Sequence, residues 1–111
     1  MTVELRLGGV TLGRARLDPP DPRSGARSGR LSPTDAYDLI CPIFRRFADA
    51  EAVPSPAARA AALERARRAR AALKLNLVTE DGRPLAAGVI HVHDRHASRE
   101  LVLEVHGLPV D

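Results

Sequence analysis

Apolar and polar residues alternate in two short runs at the start of the chain, "TVELRL" and "VTLGRARL", on either side of Gly8-Gly9. Period-two alternation marks half-buried strands, and a glycine pair tolerates the positive φ of a tight turn, so the pattern predicts a β-hairpin over about 2–7 and 10–17. With a two-residue turn, Leu7 would face Val10 and Leu5 would face Leu12. Residues 18–30, "DPPDPRSGARSGR", are dense in Pro, Gly, Ser and Arg, and predict a flexible loop over 18–31 with at most a short extended piece near 26–31.

The period then changes. Ser32 can cap a helix, Pro33 suits its first position and Asp35 its third, while Ala36, Leu39, Ile40, Ile43, Phe44 and Phe47 recur at the spacing of one helical face. Pro42 removes a backbone donor inside that helix, so a kink or break is expected near Asp38–Cys41. Ser55-Pro56 repeats the capping logic for a second helix, 56–72, whose Ala58, Ala62, Ala66, Ala69 and Leu73 form a narrow stripe of small side chains.

Alternation returns in the last third at 73–79, 85–93 and 100–106, with a turn at Asp81-Gly82. These segments predict a three-stranded antiparallel meander with one apolar face, which the helices should cover. The expected fold is therefore α+β: an N-terminal β-hairpin, two helices and a C-terminal meander packed on them, in one domain over 1–111.

Composition narrows the function. There is no Trp, one Tyr and two Phe, too few aromatic rings for a base-stacking platform. The formal charge is +3, and every basic residue except Lys74 is Arg; heavy Arg, Ala and Pro usage fits a GC-rich bacterial genome. Cys41 stands alone, so an intramolecular disulfide is excluded, and no apolar run approaches the ~20 residues that span a bilayer. A cytoplasmic location without membrane association is the expectation. Nucleophile-elbow, phosphate-loop and dinucleotide-binding signatures are absent from the sequence.

Three surfaces remain as candidates. The first is the polar face of the meander, lined by Lys74, Asn76, His91, His93 and Glu104, which suits a protein partner. The second combines the helix 56–72 and the loop 23–30, where Arg23, Arg27, Arg30, Arg59, Arg65, Arg67, Arg68 and Arg70 could contact phosphates. The third is the string "HVHDRH": His91 and His93 share a strand face, and with Glu100 and His96 they could supply a zinc site. His106 is expected to lie four residues from the level of His91 and to take no part.

The order H-x-H-D-x-H differs from the H-x-H-x-D-H of metallo-β-lactamase-like hydrolases, and the second motif of cupins is missing. Protein binding without catalysis, as an adaptor, an immunity-type protein or a subunit of an assembly, is the expected function, with no cofactor. Nucleic-acid binding is the alternative, and zinc binding through His91, His93 and Glu100 is the second alternative.

Overall fold

A computed structural model describes residues 1–95 and 100–108, the side chain of Arg95 excepted. The chain runs β1 (Thr2–Leu7), β2 (Val10–Arg16), β3 (Arg27–Pro33), a 3-10 helix (Asp35–Leu39), α1 (Cys41–Glu51), α2 (Pro56–Ala72), β4 (Leu75–Thr79), β5 (Pro84–Leu85), β6 (Val89–Arg95) and β7 (Glu100–His106). The α+β class is as expected. All strand pairs are antiparallel, in a seven-stranded sheet of order β5-β4-β1-β2-β3-β7-β6.

This order corrects the expected meander. β4 pairs with β1 and with the two-residue β5, whereas β6 and β7 stand at the other end, separated from β4 by three strands. Alternation decides which face of a strand is buried; it does not decide which strand lies beside it.

The link between the two halves comes from the end of the stretch expected to be a loop, where a short extended piece is expected near 26–31 and a full strand is found. β3 pairs through Leu31–Pro33 with β2 and through Arg27–Arg30 with β7, so one strand changes partner along its length. Its sequence, "RSGRLSP", has one fully buried side chain, Leu31, and is held by backbone hydrogen bonds more than by apolar burial. The hand-over turns the sheet, and residues from β4 and β6 consequently line a common cleft.

The N-terminal hairpin forms as predicted, but Leu5 stands opposite Gly13 instead of Leu12, because a bulge falls between Leu5 and Arg6. Val10 is exposed at the turn. Val3, Leu5, Leu12, Leu77, Val92, Leu103 and Val105 form the inner face, and Ile40 and Phe44 join them from the helical segment.

That segment also departs from expectation. Ser32 and Pro33 belong to β3, and the 3-10 helix starts after Thr34, whose side chain makes no capping bond. The predicted break is present: Ile40 separates the 3-10 helix from α1, and Pro42 falls in the first turn of α1, where its missing N–H costs nothing. Leu39, expected on the buried face, is 70% exposed because the 3-10 turn rotates it outward.

α2 begins at Ser55-Pro56 as predicted, with the Ser55 hydroxyl accepting from the Ala58 amide at 3.4 Å. Only Ala66 of its small-residue stripe is fully buried, so α2 packs shallowly, against α1. Ser55→Ala should therefore lower stability by about 0.5–1 kcal/mol, read as a small drop in the urea midpoint; no change would show the cap to be dispensable.

Candidate functional site

β6 ends the sheet, and α1 packs along it. The β6–β7 ladder places Val92 opposite Leu103, His91 opposite Glu104, His93 opposite Val102 and Val89 opposite His106. His106 thus lies two residues from the level of His91 instead of the four expected, because β6 continues through Arg95 instead of ending at His93. A shift of two keeps every side chain on its own face but changes its neighbours.

The consequence is a cluster on the outer face that the sequence divides between separate levels. Glu104 receives two half-buried histidines: His93 Nε2 lies 3.3 Å from Glu104 Oε1, and His106 Nε2 lies 2.9 Å from Oε2. The hydrogen bonds from His106 and His93 hold the Glu104 carboxyl below the usual carboxylate range, against the opposing effect of partial burial. His106, expected to stay apart, is thus a member.

His91 is not on a wet face. It is buried, 8% exposed, with the rings of Phe44 and Phe47 meeting it edge-on at 5.6 and 4.6 Å and the ring of His93 at 4.6 Å. Periodicity places it on the opposite face from Val92 correctly, but α1 lies along this terminal strand and meets both its faces, with Phe44 and Phe47 against His91 and Arg45 against Asp94, an arrangement that alternation alone does not reveal. From α2, Arg70 Nη1 lies 2.9 Å from His91 Nδ1, and its guanidinium sits 4.9 Å above the Phe47 ring. Since Arg can only donate, Nδ1 accepts and the imidazole is neutral. Burial first, then the neighbouring His93 and Arg70, push its pKa down to about 4.

On the inner side of the same strand, Asp94 is also buried and accepts a hydrogen bond from the Tyr37 hydroxyl at 2.9 Å. Arg45 Nε stands 3.5 Å from the same carboxylate. Burial and the adjacent Asp94 carboxylate raise the Tyr37 pKa well above the ordinary phenol value. Tyr37→Phe leaves a buried carboxylate without its donor, and should cost about 2 kcal/mol of stability by denaturant titration; a wild-type midpoint would show that water or Arg45 replaces the bond.

The candidate residues are accordingly redistributed. His91, His93 and Glu104 come together with His106 and Arg70. Lys74 precedes β4 and Asn76 lies within it, donating to the Gly8 carbonyl at 3.4 Å, so these two stand at the other end of the sheet. Ser28, His93, Glu100, Val102 and Glu104 line a groove of about 300 Å³ on the outer face of β3, β7 and β6.

Of the proposed zinc ligands, Glu100 stands opposite Arg95 and pairs with Arg30 at 3.5 Å, a full turn of the pleat from the level of His93. His96 lies outside the described residues. Among the described residues, no group of three His, Cys, Asp or Glu side chains is arranged to hold a metal ion. His93 and His106 are kept apart by the strand spacing, with Glu104 between them.

The arginines do not form one surface either. Arg59 donates to the carbonyls of Val53 and Pro54, closing the turn before α2, and Arg70 is folded onto His91. Arg67 and Arg68 share Glu64, at 3.9 and 3.4 Å, while Arg65 is exposed. In the preceding segment Arg27 donates to the Asp18 carbonyl and the Arg23 amide donates to Asp21.

Comparison with protein-family models, with curated proteins and with solved structures finds no match. No helix among the described residues is long and apolar enough to cross a membrane.

Proposed function

We propose that the protein is a non-enzymatic protein-binding module, and that its contact surface is the outer face of β3, β7 and β6. The supporting observation is the groove of about 300 Å³ lined by Ser28, His93, Glu100, Val102 and Glu104. Val102 is half-buried there between polar side chains, and Glu104 is already fixed by His93 and His106. An apolar floor with a preorganised polar rim is the composition of a specific protein contact, since little side-chain freedom is lost on docking. The dispersed and partly paired arginines give less support to a phosphate-binding surface, which gains from concentrated positive charge.

Purification of the tagged full chain from its native host tests this. A partner protein should accompany the wild-type chain at constant stoichiometry and be lost on Val102→Glu, while Arg65→Ala on α2 should retain it. A monomer emerging alone, or a nucleic acid that dissociates steeply as salt rises, would overturn the proposal.

A further inference from the structure

The turn of the sheet leaves a second cavity on the opposite flank of the histidine cluster. It measures about 310 Å³ and lies between the start of β4, the start of β6 and the last turn of α2. Leu73, Leu75, Ala87 and Ile90 supply apolar walls, and among the described residues Arg70 is the one charged side chain that lines it. The volume is at the low end of the range for small-molecule sites.

Arg70 is not neutralised within the fold. Among the described residues, no carboxylate stands within ion-pair distance of it; its contacts are the neutral His91 ring at 2.9 Å and the face of Phe47. Glu104, whose charge is felt at Arg70, is occupied by His93 and His106. Partial burial and the nearby Arg67 both act against the guanidinium charge. A partly desolvated cation without a counter-ion is unfavourable, and a bound anion would relieve it.

The chemistry of that anion is constrained from two sides. One guanidinium, with one of its nitrogens engaged by His91, has a donor pair left that matches the two oxygens of a carboxylate. The four aliphatic walls would not solvate a doubly charged phosphate but would cover a hydrocarbon tail. We propose that this cleft binds a small aliphatic carboxylate, with its head group on Arg70 and its tail against Leu73, Leu75, Ala87 and Ile90. The site is separate from the groove assigned to a protein partner, so either proposal can fail alone.

Titration of the full-length protein at neutral pH with hexanoate, octanoate and decanoate, followed by amide and arginine side-chain NMR, tests the proposal. The expected result is saturable binding that shifts Arg70 and residues 87–90. 1-Octanol should bind about tenfold to a hundredfold more weakly than octanoate, as should octanoate to Arg70→Gln. Ala87→Leu, which fills the cleft and leaves Arg70 in place, should abolish binding and guards against an Arg70 variant that loses the fold. Equal affinity for octanol and octanoate, shifts confined to other surfaces, or no saturation with any of the three acids would overturn it.

Discussion

Gly29→Ala is expected to destabilise the fold by about 4 kcal/mol or more, a large part of the 5–15 kcal/mol typical of a domain. Gly29 stands opposite Leu103 in the β3–β7 ladder, and a Cβ there would overlap the Arg16 carbonyl oxygen and lie 2.8 Å from its carbon. The obstacle is backbone, so no rotamer change can relieve it. Nor can Arg16 and Leu17 easily withdraw. The Leu17 side chain is buried, its amide donates to the Met1 carbonyl at 2.7 Å, and the Asp18 amide donates to Ser28 at 2.8 Å. Gly9→Ala is the matched control, because a Cβ at Gly9 meets nothing within 4 Å. Urea denaturation of the two variants decides the matter, and equal midpoints would refute the expectation.

The second large effect is a loss of stability in mild acid. The His91 pKa is about 4 in the folded chain, against about 6.5 for an exposed histidine. Between these values the unfolded chain binds a proton that the folded chain does not, so stability falls as pH is lowered from about 6.5 and this contribution is exhausted near pH 4. The interval corresponds to about 3 kcal/mol. The groups facing His91 are Arg70 from α2, His93 on its own strand, and Glu104 and His106 from β7, with only Glu104 favouring its protonation. Glu104 adds to the trend at the acid end: its lowered pKa means that its stabilisation holds above the ordinary carboxylate value and is lost as pH falls further. Urea midpoints measured from about pH 7.5 to 4.5 should drop steeply for the wild type and much less for His91→Gln, which retains an acceptor for Arg70. Parallel curves would show that another group carries the acid sensitivity.

Much of this architecture is legible in the sequence, and the remainder is missing for identifiable reasons. Elements with a strong local signal are found: the hairpin from alternation around Gly8-Gly9, α2 from Ser55-Pro56, the break from Pro42. β3 is foreshadowed only as a short extended piece near 26–31, because Arg-Ser-Gly-Arg contains no apolar alternation; that stretch is paired by β7, which follows some 70 residues later. The candidate site is only half legible. Its residue types stand out, and Glu104 and His106 at a spacing of two share a face on any strand, but their meeting with His93 depends on a register that hydrophobic pattern fixes only to within two residues. The burial of His91 depends on where α1 lies, and the tether from Arg70 on α2 is a contact across 21 residues with no local signature.

The partner change along β3 also has a kinetic side. Its ladder with β7 joins Arg27 to Val105 and Arg30 to Val102, closing loops of more than 70 residues, among the costliest pairings a chain of this length can form. During synthesis the early strands and both helices emerge before β7 exists, leaving Val92, Asp94 and the far side of β3 without their neighbours. Completion of the sheet must wait for the last strand, so a ribosome stalled before residue 100 would hold a chain with an open, adhesive edge.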